Sequence, residues 1–279
     1  MNIENVDWQI ISKCNRSCPY CYGPLSIDEL SIDKIYKIID KLVYNGVKQL
    51  GITGGEPLIH PYISEIINYS FDSGLKIYLS TNCDYYSKYS ELIKEKVSII
   101  GIPIDGSNAK THDLNRGTQN FKSVLNAAND IYNSKCTTKI KFGTVVTVDN
   151  CNELLKIEKI ISKYNSKIIF WKLYELISYE RNKSKVAPIK CSMQLYTSKL
   201  GQYIDINKII FDTIDKRDKS YFFLKPNGDV FIPQLSKNIS QERIIGNILY
   251  DNFESIALKF NELVDICGYF KNYRYMKGE

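Results

Sequence analysis

Apolar positions along the chain recur with two alternating periods. Runs rich in β-branched and aromatic residues at 6–12, 48–53, 76–80, 97–103, 139–148 and 168–174 read as strands. Between them, at 31–44, 62–71, 86–94, 121–132 and 152–164, apolar residues return every three or four positions, the helical period. In the first of these stretches Ile32, Ile35, Ile38, Ile39 and Leu42 share one face. The alternation is read as six strand–helix units, which call for right-handed crossovers and a parallel sheet. Six units over about 215 residues fall short of the eight of a closed barrel, which takes about 250. The expected fold is α/β: a partial (β/α)6 TIM-like barrel over residues 1–215.

The pattern loosens after Tyr179, and the polar run 180–185 reads as a loop. Residues 221–224 and 230–233 flank Lys225-Pro226-Asn227-Gly228-Asp229, a hairpin signal with Pro and Asn-Gly at the turn. A helix over 253–264 follows. Residues 216–279 are thus expected to form a short C-terminal α+β extension that covers the barrel opening.

Composition adds limits. Hydrophobic residues make up 44% and charged residues 24% of 279, the balance of an ordinary globular protein. The net charge of +6 is mild and the lysines are scattered among acidic residues, so DNA is not an expected partner, while an anionic substrate is permitted. No basic run precedes an apolar stretch at the N-terminus, and no apolar run approaches the roughly 20 residues that span a bilayer. The expected location is the cytoplasm, with no membrane partner. In that reducing setting the eight cysteines read as metal ligands or small buried hydrophobes.

Three of them, Cys14, Cys18 and Cys21, form C-x3-C-x2-C directly after the first strand. Functional residues gather at the C-terminal ends of parallel strands, so this loop lies on the expected active face. A structural zinc site is closed by four ligands, commonly as two pairs, and no second pair follows: Cys83, Cys136, Cys151, Cys191 and Cys267 are isolated. Three cysteines suit a 4Fe-4S cluster with one iron left open. On its own the triplet leaves zinc as an alternative. It is joined, however, by Thr53-Gly54-Gly55-Glu56-Pro57 after the second strand, Ser80-Thr81-Asn82 after the third and Ile104-Asp105-Gly106 after the fourth. His60 and His112 fit no zinc spacing and read as structural or surface residues.

These residues resemble the radical S-adenosylmethionine (SAM) enzymes, whose signature is C-x3-C-x2-C with an aromatic residue, here Tyr20, before the last cysteine. The resemblance covers the chain from Val6 to about Tyr174. It implies that Cys14, Cys18 and Cys21 bind a 4Fe-4S cluster whose fourth iron takes SAM. It implies further that Gly54 and Gly55 leave room for the methionine moiety, and that Glu56 accepts hydrogen bonds from the SAM ammonium. Ser80 and Asn82 would reach the ribose or the methionine end, Tyr20 would line the adenine pocket, Asp105 would stand at the cofactor or hold a turn, and Arg116 would pair with the SAM carboxylate. The implied chemistry is reductive cleavage of SAM to methionine and a 5′-deoxyadenosyl radical that takes hydrogen from a substrate, fed by a flavodoxin- or ferredoxin-type electron donor. Cys83 stands where many members have glycine and reads as a small residue.

Peptide-modifying relatives carry a cysteine-rich C-terminal extension with auxiliary clusters. Here Gln234 stands where they place cysteine, so one cluster is expected, and 245–248 resembles the tail of such an extension without its ligands. The first strand is read as beginning near Val6, so a leader-binding winged helix ahead of it is not expected. On the fifth and sixth strands, Lys139-Ile140-Lys141-Phe142 and Trp171-Lys172-Leu173-Tyr174 resemble the viperin-like branch, where such lysines face a nucleotide triphosphate. Lys141, Lys172, Tyr174 and Arg181 are accordingly the candidate substrate residues. The departure is Gly143, where viperins have asparagine. The expected substrate is a small anionic molecule, a nucleotide or nucleotide sugar; the alternative is a ribosomal peptide, modified by epimerisation or crosslinking. Tyr22, Tyr174 and Tyr221 are candidate hydrogen donors to a product radical.

Overall fold

The computed structural model describes residues 2–23, 27–179, 182–236 and 239–274. Six parallel strands, β1 (Asn5–Ile11), β2 (Gln49–Gly54), β3 (Lys76–Ser80), β4 (Ile99–Pro103), β5 (Lys139–Val146) and β6 (Ile168–Glu175), lie side by side in chain order. They are linked by α1 (Ile32–Tyr44), α2 (Ile63–Asp72), α3 (Tyr86–Lys96), α4 (Ala109–Arg116), α5 (Asn120–Asn133) and α6 (Leu154–Ile161). The sheet is open, as expected for a partial barrel, and has ten strands among the described residues.

The sheet extends beyond the six expected strands at both edges. On one side β7 (Ile209–Asp212) pairs parallel with β6, after the short helices α7 (Lys183–Val186) and α8 (Gln194–Thr197). A strand of four residues behind a polar stretch has too few positions to show a period. Of the run 180–185, Lys183, Ser184 and Lys185 lie in α7, and residues 180 and 181 lie outside the described residues. On the other side, after α9 (Ile214–Arg217), β8 (Phe223–Leu224) pairs parallel with β1, and β9 (Asp229–Ser236) and β10 (Ile239–Asn247) continue antiparallel. α10 (Phe253–Leu263) and α11 (Ile266–Arg274) complete the described chain. The loop after β6 reaches the edge of β10: Ser240 N donates to Ser178 O at 3.0 Å.

Outward-facing strand residues meet the helices. Val6, Trp8 and Ile10 of β1 are buried with Ile35, Ile38, Ile39 and Leu42 of α1, and burying each such side chain stabilises the fold by roughly 1.5–3 kcal/mol. Ile32, on the same helical face, is only partly covered. Among the helices that periodicity misses, α4 has the polar sequence AKTHDLNR; Asn108 caps it by accepting from Thr111 N at 3.2 Å. Behind α6, the fully buried Glu158 accepts from Gly201, Tyr203 and Ile204 N at 3.1, 3.0 and 3.0 Å, which fastens the approach to β7.

Candidate active site

The chain leaving β1 is held against the end of β2 by backbone bonds. Gly55 N donates to Ile11 O at 2.7 Å and Glu56 N to Lys13 O at 2.9 Å. A Cβ at Gly54 (φ +136°) would lie 2.3 Å from Ile11 O, and one at Gly55 would lie 1.9 Å from Lys13 O. This backbone contact by itself demands glycine at both positions. The cysteine loop and the Gly-Gly-Glu turn are thus one packed unit. Cys14 and Cys21 are exposed and Cys18 is partly buried. Arg16 N donates to Cys14 Sγ at 3.4 Å and Gly23 N to Cys21 Sγ at 3.3 Å. Burial raises the Cys14 and Cys18 thiols above their ordinary value, and the neighbouring cysteine sulfurs raise them further.

Glu56 turns inward and is 1% exposed. Its Oε1 accepts from Leu58 N at 3.0 Å and Thr81 Oγ1 at 2.6 Å, and Oε2 from Asn82 N at 2.7 Å. Burial outweighs these bonds and pushes the carboxyl up to about 7. Asn82 reaches back to the cysteine loop, its Nδ2 donating to Asn15 Oδ1 at 2.8 Å. Beside it, Arg16 grips Asp84 with two bonds of 2.6 and 2.7 Å and donates to Arg116 O at 2.7 Å. Asn15, Arg16 and Asp84 escape the sequence reading, although Asn15 and Arg16 lie within C-x3-C and Asp84 follows Ser80-Thr81-Asn82 closely, and Thr81 stands in that motif without a role assigned to it. Cys83 has φ +70° and is buried, which explains a preference for glycine there. Ser80 is half-buried and bonds to the Tyr78 hydroxyl.

The loop after β4 gathers Tyr20, Asp105 and Arg116. Asp105 is fully buried; Oδ1 accepts from Val145 N at 2.7 Å, while Oδ2 accepts from Tyr20 Oη at 2.5 Å and pairs with Arg116 Nε. The guanidinium also lies 5.6 Å from the Tyr20 ring centroid. Arg116, expected to face a cofactor carboxylate, already has a carboxylate partner within the protein. His112 is buried; its Nδ1 accepts from Asp105 N at 3.0 Å and its Nε2 meets Asn120 Oδ1 at 3.0 Å, so it is structural and carries its proton on Nε2. Burial lowers its affinity for a second proton.

The inner face of the sheet is polar. Gly51, Gly101 and Gly143 on β2, β4 and β5 make space for larger neighbours: a Cβ would meet Asp7 Oδ1 at 1.9 Å, Tyr78 Oη at 2.5 Å and Tyr174 Cε2 at 3.1 Å, respectively. Gly143 therefore accommodates the Tyr174 ring. Lys141, 7% exposed, donates to Tyr78 Oη at 3.0 Å and to Tyr174 Oη. Lys172, also 7% exposed, donates to Tyr221 Oη at 2.7 Å and pairs with Asp212 Oδ2 at 3.0 Å. The Tyr174 centroid lies 4.9 Å from one ammonium and 5.3 Å from the other. Burial, and then the charge of Lys172, lower Lys141 to about 7; burial opposes charge on Lys172 as well, but Asp212 more than offsets it and raises that group. Lys139, on the same strand, is exposed and bonds to Ser166 O at 3.3 Å. Arg181 lies outside the described residues.

A family model described as the radical SAM superfamily matches residues 8–158, which span β1 to α6 and every motif loop described above. The chain belongs to the radical SAM superfamily. Radical SAM enzymes use a 4Fe-4S cluster and SAM, and so does this one. It is similar to an S-adenosylmethionine-dependent nucleotide dehydratase of Selenomonas ruminantium, 24% identical over 269 residues that cover 92% of this chain and 94% of the relative. A second protein of that name, from Flammeovirga pacifica, is 21% identical and is matched over 96% of both chains. Among solved structures, Streptococcus suis SuiB bound to S-adenosylmethionine superposes with a TM-score of 0.71 at 14% identity, covering 96% of this chain and 67% of SuiB, a likeness of fold.

The residues of this radical SAM chain fit the cluster. Three thiols share one loop at the C-terminal ends of the strands, Cys18 and Cys21 lie close enough to make Cys14 harder to ionise, Cys21 does the same to Cys18, and two of the three accept backbone N–H groups. Among the described residues no three His, Cys, Asp or Glu side chains, those of the cysteine loop included, are drawn together as a metal site. No described helix is long and apolar enough to cross a membrane.

Proposed function

We propose that this radical SAM enzyme acts on a small anionic substrate of the nucleotide class. The observation that carries the reading is the pair Lys141 and Lys172, both buried on the inner face of the sheet and surrounded by Tyr78, Tyr174 and Tyr221. Lys172 meets the Asp212 carboxylate at 3.0 Å, whereas Lys141 is held by two phenols, and a desolvated ammonium is expensive to keep inside a protein unless it meets an anion. The full-length similarity to two proteins named nucleotide dehydratases supports the same substrate class.

In this reading Cys14, Cys18 and Cys21 hold the cluster, and Tyr20, Gly54, Gly55, Glu56, Ser80, Asn82, Asp105 and Arg116 form the SAM site. When bound, the two cofactors together supply a 5′-deoxyadenosyl radical that abstracts hydrogen. The chain's own part is positional. Glu56 in its ionised form attracts the SAM ammonium while Thr81 and Asn82 hold its carboxylate in place, and Asp105 orients Arg116 and Tyr20. Residues 1–215 carry the cofactor loops; residues 216–279 add Tyr221, which reaches Lys172, and close the open side of the barrel. Electrons come from a flavodoxin- or ferredoxin-type donor in the cytoplasm.

The test is anaerobic reconstitution with iron and sulfide, followed by reduction with dithionite and assay of 5′-deoxyadenosine from SAM with a panel of nucleotides. At least one nucleotide should raise formation several-fold above the uncoupled rate, and Lys141→Ala should remove that stimulation while leaving uncoupled cleavage. A panel in which none stimulates refutes the nucleotide reading and favours a peptide substrate.

A further inference from the structure

One carboxylate holds the first half of the cysteine loop. Asp84, in the loop after β3, accepts from Asn15 Nδ2 at 2.6 Å, from Arg16 Nε and Nη2 at 2.6 and 2.7 Å, and from Asn120 Nδ2 at 3.1 Å. Asn15 and Arg16 are the two residues that follow Cys14. A guanidinium bonded to a carboxylate through two nitrogens is fixed in plane as well as in distance. The two side chains are only 12% and 15% exposed, so water competes little for these bonds. Arg16 Nη1 donates to Arg116 O at 2.7 Å, and Nη2 also reaches Thr118 O at 3.4 Å. Between these two carbonyls stands Gly117, with φ +91°, where a Cβ would lie 2.9 Å from Arg16 Nη1. The absence of a side chain there gives the guanidinium its seat.

The network reaches two points of the cofactor site. Arg16 N donates to Cys14 Sγ at 3.4 Å, so the direction of that N–H follows from where Arg16 is held. Hydrogen bonds to cysteine sulfur help to set the potential of an iron–sulfur cluster. At its other end Arg16 holds the carbonyl of Arg116, the last residue of α4. The Asn82 amide works inside the same network: Nδ2 donates to Asn15 Oδ1 at 2.8 Å, and Oδ1 accepts from Asp84 N at 3.0 Å.

Building on the reading that Cys14, Cys18 and Cys21 hold the cluster and Arg116 belongs to the SAM site, we infer that Asp84 is a positioning residue. Through Arg16 it fixes the cysteine loop against the end of α4, and so sets the cluster ligands and the SAM site in register. Neither Asp84 nor Arg16 has to touch SAM or substrate for this. The device works by direction as well as by charge, because Arg16 spends three nitrogens of one plane on partners from two loops.

The experiment compares Arg16→Lys, which keeps the charge and removes the fork, and Asp84→Asn with the unmodified protein, all reconstituted anaerobically with iron and sulfide. The readouts are the midpoint potential of the cluster, followed by electron paramagnetic resonance during reductive titration, and SAM affinity by calorimetry. Arg16→Lys should bind SAM at least fivefold more weakly, and its cluster should titrate at a more negative potential, since the N–H at the Cys14 sulfur is no longer held in place. Asp84→Asn should share the loss of SAM affinity. A purely structural role would lower the Tm of the cluster-free variants and leave the potential and SAM affinity of the reconstituted fraction at parental values; that result overturns the inference. If Asp84→Asn does not fold, Arg16→Lys decides the matter by the same two readouts. Cys18→Ala tests the underlying reading separately: it should lose the cluster, and a full complement of cluster iron in that variant brings down the ligand reading, and the inference with it.

Discussion

Replacing Asp105 by asparagine keeps the shape of the side chain and removes its charge at a point where three donors converge. The carboxylate is fully buried, bonded to Val145 N at 2.7 Å and Tyr20 Oη at 2.5 Å, and paired with Arg116, whose side chain is 16% exposed. An amide cannot accept from all three, because one of its two terminal atoms is itself a donor. Whichever way it is turned, N–H faces N–H, and the guanidinium loses its counter-ion. Breaking a buried pair by removing one partner costs about 3–5 kcal/mol, and the partial exposure of Arg116 places the expectation near the lower end. For a chain of this size, about 3 kcal/mol corresponds to a Tm lower by roughly 6–12 °C. The assay is thermal unfolding of the cluster-free protein followed by circular dichroism, alongside Arg116→Met and the double variant. The double variant should be more stable than the sum of the single losses predicts, by about 2 kcal/mol, since the second change removes the charge stranded by the first. Tyr20→Phe, which removes one hydrogen bond to a charged acceptor, should cost about 1.5 kcal/mol. A Tm for Asp105→Asn within about 2 °C of the parent, or strictly additive losses, would show that Asp105 and Arg116 do not act as a buried pair.

Glu56 gives a pH signature. Its carboxyl is raised to about 7 in the folded chain from an ordinary value of 4.5, so the folded state binds the proton more tightly, and this contribution to stability is full below the lower value and lost as pH rises through about 7. In Glu56→Gln the fall in unfolding free energy between pH 5 and pH 8, measured by urea melts, should shrink by about 2–3 kcal/mol; an unaltered fall would remove the argument. SAM affinity in the parent should drop as pH falls below 7, since a protonated carboxyl no longer attracts an ammonium, and Glu56→Gln should flatten that profile. Gly55→Ala places a Cβ 1.9 Å from Lys13 O, a backbone atom, so the cysteine loop must shift; iron bound after reconstitution should fall by more than half, and full iron content would contradict the packed-loop description. Glu158→Ala leaves three backbone N–H groups without their acceptor. It should cost about 2 kcal/mol and speed limited proteolysis near Gly201, and an unchanged cleavage pattern would count against the anchor.

The order of strands from β1 to β6 and the motif loops at the C-terminal strand ends were legible in the sequence. Each is local: a period of two or 3.6 along one segment, or a motif whose members stand within a few residues. The elements left out are short or polar. α4 has no apolar stripe and forms because Asn108 caps it and His112 is buried beneath it. β7 has four residues and becomes a strand by pairing with β6. β10 carries Gln241-Glu242-Arg243 and becomes a strand by pairing with β9.

The electrostatic arrangement of the site belongs to the tertiary structure. Lys172 and Asp212 are 40 positions apart, and Tyr20 and Asp105 are 85 apart. Nothing in the neighbourhood of Arg116 announces that its charge is already met, nor does the Gly-Gly pair announce that its free space is filled by the backbone of residues 11–13. The sequence determined that this chain carries the residues of a radical SAM enzyme and where along the barrel they stand. Which of those residues have their charges answered within the protein, and which keep a donor for a ligand, was decided only when the strands closed around a common interior, because Coulomb and packing forces act across space and not along the chain.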